Sequence, residues 1–421
     1  MLTLALLLVL IVEVISFTYF DKKIFGNYFS PIVILAYPLI LIVALAICFS
    51  TLLEFLPVSN SLLLLCIVGV FFFWFGSLFW SVIIPSKVTF NIASSFKSHK
   101  IEVSDKVKIA FQLFACIVIA VMLLSFYNTF RLFGNISSVG TDEFSADYGG
   151  HGVTGHVLGL AIPLLIFFVS IAKKKDYFTL CIIVLLVFLL LLYRVKTWLY
   201  IPLIGGVLLR LYNERRIKLR FFPILLSALL VLLLFLLTYA FSVKADNYSF
   251  WEKIVMLLKH FMGYIFAGVL GFGEHLKHNL PMGENPKALF MPFINLYNFI
   301  SGNEVTGVVS PYHVYIDRLR LEDVNVKTFF GTILINGGYL IGIFYTLTVS
   351  VFLYFIWIVA SVSKNYWFVL LYIFFAAALA LGWFDFYYNQ LPFLELPAYI
   401  IIFIILTRKK QNPHSESIDF S

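Results

Sequence analysis

Between two long apolar runs lies a polar stretch, residues 243–328, that holds four of the eight histidines, His260, His275, His278 and His313, with Glu274, Asp317, Arg318 and Arg320. Residues 311–320 bring one imidazole, one carboxylate and two guanidinium groups within ten positions. On a helix, His313 and Asp317 would share a face at i and i+4, where the carboxylate could orient the imidazole as a general base. Arg318 and Arg320 could meet anionic substrate oxygens, since a guanidinium fork holds two such oxygens together. A solvated loop with one i, i+4 pair reads the same way. Upstream, Glu274, His275 and His278 form a second cluster with weaker spacing.

A second polar segment, residues 128–155, contains Arg131, Thr141, Asp142, Glu143 and Asp147, and runs into Gly149-Gly-His-Gly-Val-Thr-Gly-His156. Three glycines before Val153 predict positive backbone φ and close approach to a ligand, although a flexible loop before a helix has the same composition. His151 and His156 could act as a base or bind a metal; no HExxH-like helix pattern supports the metal. Arg194 and Lys196 interrupt apolar sequence at a boundary where positive charge is disfavoured. Interfacial snorkelling explains them, and so does binding of an anionic lipid headgroup such as a pyrophosphate.

The elements that must hold these groups are membrane helices. At 62% hydrophobic and 12% charged residues, with a mean hydropathy of +0.98, the chain is too apolar for a water-soluble globule. The expectation is an all-α, polytopic integral membrane protein, one domain over residues 1–421. Eleven spans are predicted: 2–20, 32–50, 62–84, 109–127, 157–171, 177–193, 198–212, 221–242, 339–358, 367–383 and 393–406. The N-terminus then faces out, the C-terminus faces in, and residues 128–155 and 243–328 are outer loops. Charge agrees: 19 of the 30 basic residues fall on the inner side, against 7 of the 22 acids. Residues 254–271 are apolar enough to span, but Lys259 and His260 sit near their middle, which favours a surface or re-entrant helix. Gly337 and Gly338 predict a broken return into the membrane. The four cysteines lie inside spans without ligand spacing and are read as core residues. The basic residues fall in short clusters between spans, as topology determinants do, which argues against nucleic-acid binding.

Arg320, ten residues and Gly331, at the end of the longest outer segment, resemble the arginine-x10-glycine arrangement in outer loops of Wzy-type O-antigen polymerases. Asn325-Val-Lys-Thr-Phe-Phe-Gly331 and Asn336-Gly-Gly338 are similar to the stretch where that family's long loop re-enters the membrane. Arg194-Val-Lys-Thr197 resembles a mid-chain basic segment of O-antigen polymerases and ligases, without their usual Ser-Arg order. The resemblance implies a GT-C-like membrane glycosyltransferase at the periplasmic face of the bacterial inner membrane. Its substrates would be two undecaprenyl-pyrophosphate-linked oligosaccharides, with no cofactor, and a chain-length regulator and a flippase as working partners. On that reading His313, Asp317 and Arg320 are catalytic candidates, and Arg131, Arg194, Lys196, Arg318, Asn325, Thr328 and Gly331 are substrate contacts. An O-antigen ligase shares the layout and the lipid donor. A polysaccharide flippase is the rival from another class; it would need charges deep in several spans, where Glu13 is the clear one.

Overall fold

The computed structural model describes residues 1–84, 103–135, 138–139, 141–149, 153–193, 196–214, 250–304, 306–307, 312–363 and 365–408. They form α1 (Leu2–Phe25), α2 (Pro31–Phe49), α3 (Asn60–Ile83), α4 (Asp105–Phe133), α5 (Asp142–Tyr148), α6 (Val153–Gly159), α7 (Ala161–Ile171), α8 (Tyr177–Leu192) and α9 (Lys196–Glu214). After these come α10 (Phe250–Lys277), α11 (Met291–Ile300), α12 (Phe329–Val362), α13 (Tyr366–Ala380) and α14 (Pro392–Arg408). A two-stranded antiparallel pair, β1 (Val314–Tyr315) and β2 (Asp323–Val324), is the exception to an otherwise helical fold. Six of these helices are long and apolar enough to cross a bilayer: α1, α2, α3, α4, α10 and α12. The protein is a multi-pass membrane protein. The expected span at 221–242 lies outside the described residues.

Side-chain contacts sort the helix ends into two layers. Thr3 donates to Asn60, which places the start of α1 beside the start of α3. The turn between α2 and α3 pairs with the strand segment: Leu56 N donates to the Ile316 carbonyl at 2.8 Å and Arg318 N to the Glu54 carbonyl at 3.1 Å. Thr328 N and Phe329 N donate to the Phe384 and Gly382 carbonyls, which joins the start of α12 to the turn after α13; Phe329 lies edge-on to Phe73 and Gly382 against Leu35, so this junction sits below that layer, the hairpin end, along the flanks of α3 and α2. At the opposite end, Tyr366 of α13 bonds Ser170 of α7, and Asp21 accepts from Trp74, Ser77 and Tyr354. Since α7 and α13 run antiparallel, α6 also lies toward the hairpin end.

Packing follows from small residues facing large ones. A methyl added at Gly69 would sit 2.7 Å from the Phe330 ring, and one at Gly76 would collide with Ser350, so α3 and α12 run in close contact. α13 is apolar on every side and buried at 13 of its 15 residues, as a helix enclosed by others must be. Of the cysteines only Cys66 is buried; Cys48, Cys116 and Cys181 face outward, which corrects their reading as core. Both faces of a membrane helix are apolar, so hydropathy does not separate core from lipid.

Two expected loops are largely helical. In 128–155, α4 continues to Phe133 and stops at Gly134, a left-handed cap with φ 66°. Thr141 then caps α5, whose Phe144 and Tyr148 are fully buried one turn apart. In 243–328, α10 occupies 28 residues. Lys259 meets Glu54 at 2.5 Å and His260 meets Glu322 at 3.0 Å, while added methyls would reach Phe55 from Gly263, Val326 from Gly271 and Ser59 from Gly273. All these partners belong to the hairpin end. From Lys259 to Gly273 a helix travels about 21 Å, so α10 lies across that end, as the sequence favoured, although its length and composition would permit crossing. The predicted break at Gly337-Gly338 is present: Gly338 has φ 68° and ψ −175° inside α12. Gly283, at φ 81°, fits against it, and its N–H donates to the Ile335 carbonyl at 2.7 Å.

Candidate functional site

Two polar centres sit toward the hairpin end. The first is where the chain turns into α12. Lys327 is 1% exposed, its ammonium donating to the Val324 carbonyl at 3.2 Å, and no carboxylate among the described residues lies within ion-pair distance. The glycine at 271 makes room: a methyl there would lie 3.5 Å from the Lys327 Nζ and 2.7 Å from the Val326 carbonyl oxygen. Burial pulls the Lys327 ammonium down to about 8, against the attraction of Asp385 and Asp323. Asp385, partly buried in the turn after α13, accepts from the Thr332 hydroxyl and from Phe386 N at 2.8 Å. Burial lifts its carboxyl to about 6, while Thr332, Phe386 N and Lys327 pull the other way. One turn along α10 from Gly271, His275 is fully buried; its Nε2 faces the Pro281 carbonyl at 3.2 Å and its Nδ1 has no hydrogen-bond partner.

The segment that carries His313 and Asp317 is a strand and turn, so the helical i, i+4 pair does not form. Val314 and Ile316 are buried and Tyr315 is exposed, an alternation that packs as β. His313 is exposed and pairs with Asp323 across the hairpin at 3.0 Å. Asp317 is 2% exposed, and its Oδ1 accepts from Leu321 N and Glu322 N at 2.9 Å, which makes it the brace of the turn. Arg318 and Arg320 are exposed in that turn, Arg320 with φ 55°. Asn325 is exposed. Thr328 caps α12, its hydroxyl accepting from Gly331 N at 3.1 Å, and Gly331 is needed because a methyl there would meet the Phe272 ring at 2.7 Å. The two ends of the arginine-x10-glycine pattern therefore have separate surroundings, solvent for Arg320 and a packed ring for Gly331. Arg131 is exposed in the last turn of α4. Arg194 lies outside the described residues, and Lys196 opens α9.

The second centre joins the glycine-rich segment to the turn before α9. His156 on α6 meets Glu395 on α14, Nδ1 to Oε1 at 2.7 Å, and Tyr399 donates to the same carboxylate oxygen at 2.9 Å. The side chains are 44% and 20% exposed. The neighbouring turns of α6 and the start of α14 line a cavity of about 90 Å³ whose walls include Gly149, Gly155, Gly159, Tyr193, Trp198 and Pro392, while His156 and Glu395 are not among its lining residues. Gly149 has φ −57°, an ordinary helical value, so the expectation of positive φ fails for it; a side chain there would run into the Tyr193 ring. Tyr193 and Trp198 stand on either side of the two basic positions in sequence. Lys327, Asp385, Thr332 and Glu395 were not singled out from sequence. Lys327 sits within the 325–331 segment, and Glu395 opens a span four residues before Tyr399, the nearest either came to a signal.

Residues 54–412 match the model of a family of unknown function, DUF6337. The chain belongs to that family. Both polar centres fall inside the matched stretch, while α1 and α2 precede it. No curated protein and no solved structure matches the chain.

Proposed function

We propose that the protein is a polymerase of lipid-linked oligosaccharide repeat units in a bacterial inner membrane, with the hairpin end toward the periplasm. It would transfer the growing glycan from undecaprenyl pyrophosphate to a new lipid-linked unit. The observation that carries this reading is the second centre: His156 is held by Glu395, 239 positions away, and its neighbour in the chain, Gly155, lines a cavity with Tyr193 and Trp198. Carboxylate-oriented imidazole is the arrangement that takes a proton from an acceptor hydroxyl, and aromatic walls suit the apolar faces of sugar rings. The base role passes from His313, an exposed hairpin residue, to His156. Support for the orientation comes from the sequence count, which puts 19 of the 30 basic residues on the predicted inner side, the end opposite the hairpin.

The test uses purified protein in vesicles supplied with lipid-linked repeat units, read as polymer length on gels. Wild type should yield ladders, and His156→Ala should slow them by about 100-fold or more, the usual contribution of a positioned base. Absence of ladders from the wild type, with transfer to a lipid A-core acceptor instead, would make it a ligase; movement of the repeat unit across the vesicle without transfer would make it a transporter.

A further inference from the structure

We propose that the end opposite the hairpin carries a binding site for a phosphoethanolamine headgroup. The ends of α4, α7, α9 and α13 surround an open cavity of about 800 Å³. Pockets of roughly 300–1,000 Å³ take whole small molecules, so there is room for far more than an ion. One wall is fixed by packing, where Ser170 of α7 and Tyr366 of α13 share a hydrogen bond at 2.7 Å. Most of the wall charge is settled within the protein. Lys108 pairs with Asp176, the cap of α8, and Arg210 pairs with Glu214 at 3.0 Å one turn along α9. Three wall groups are left over. Lys173 and Asp105 are exposed and have no ion-pair partner among the described residues. The Asn213 Oδ1 is enclosed and receives no hydrogen bond among them; an enclosed acceptor is costly until a donor is supplied.

The ligand class follows from these remainders. Lys173 requires an anion, Asp105 a cation and Asn213 an N–H or O–H, while the leftover wall charges cancel. A phosphodiester bearing a primary ammonium supplies all three and has no net charge of its own. A bare phosphate leaves Asp105 unanswered. A quaternary ammonium has no N–H and leaves Asn213 so. The cavity lies between helix ends of a multi-pass protein, the level at which headgroups sit, and Val103, Ile171 and Ala172 add the apolar wall that an attached glycerol requires. The same ester also exists as a soluble molecule, and the wall chemistry suits both. Both polar centres lie toward the hairpin, so the site stands whether or not the protein is a polymerase.

Delipidated protein in detergent is titrated with phosphatidylethanolamine, phosphatidylcholine and free phosphoethanolamine, and the first binding event is followed by native mass spectrometry. Wild type should bind phosphatidylethanolamine about tenfold more tightly than phosphatidylcholine, the worth of one charge-assisted hydrogen bond. Lys173→Gln should weaken phosphatidylethanolamine about tenfold. Lys174→Gln, which removes an exposed lysine outside the cavity wall, should not. Asn213→Leu should abolish the preference for ethanolamine over choline, which a general loss of shape would not do selectively. Equal affinity for the two lipids in wild type, or unchanged affinity in Lys173→Gln, would overturn the site. If Asn213→Leu does not fold, the exposed Asp105→Asn takes its place, with weakened phosphatidylethanolamine expected and full binding overturning the proposal. Binding of the lipid together with the free ester marks a headgroup site; binding of the free ester alone keeps the chemistry and makes the ligand a soluble one.

Discussion

At the scale of single residues, Lys327 and Asp385 each make stability depend on pH in a way that can be signed. The Asp385 carboxyl is raised to about 6, so its contribution is full below the ordinary value near 3.8 and is lost as pH rises through 6. Asp385→Asn keeps an acceptor for Thr332 and Phe386 N while removing the charge. The variant should melt higher than wild type at pH 7 and converge with it near pH 4, as followed by thermal unfolding across that range. Lys327 behaves conversely: its ammonium is lowered to about 8, so its contribution is full above the ordinary value near 10.5 and is lost as pH falls through 8. His313 offers a contrast. Its exposed pair with Asp323 should be worth no more than about 0.5 kcal/mol, because solvent screens it; His313→Ala should therefore leave both melting temperature and polymer ladders unchanged.

At the scale of elements, the joint within α12 carries a sharp expectation. Gly338 occupies backbone space that L residues with a side chain rarely enter, and Gly283 lies against it, its Cα 3.4 Å from where a methyl would be added. Gly338→Ala should destabilise by about 1–3 kcal/mol, seen as a lower melting temperature, whereas Thr348→Ala on the exposed continuation of α12 should not. The break itself was legible because two adjacent glycines interrupt an apolar run. Helix positions were legible for the same reason, since about twenty apolar residues have few alternatives in a bilayer. What escaped was tertiary. His313 and Asp317 have helical spacing, but Val314 and Ile316 point one way and Tyr315 the other, a period of two that the charged residues around it masked. His156 and Glu395 are 239 positions apart, and no local pattern joins them.

At the scale of the molecule, the two layers of helix ends predict accessibility. Cysteines placed at Lys287 and at Lys174 should react with a membrane-impermeant maleimide from opposite sides of sealed vesicles. One placed at Lys259 should react on the same side as Lys287, because α10 lies across the hairpin end; reaction on the Lys174 side would mean that α10 crosses. The layered arrangement also explains why charge counting left α10 undecided: tally by side treats a helix lying flat and one standing upright as different topologies, while contacts with Glu54, Glu322 and Ser59 depend only on where its length runs.

The enclosure of α13 reaches further than packing. Its 15 residues rise about 22 Å, short of the roughly 30 Å of hydrocarbon in a typical bilayer. A lipid-facing helix of that length would thin the membrane or tilt away, but α13 is sheathed by its neighbours and lipid never meets the shortfall. The deficit falls inside the protein. With Tyr366 at one boundary, the turn bearing Asp385 sinks below the other, so the polar groups around it line a dip between the helices instead of standing at their ends.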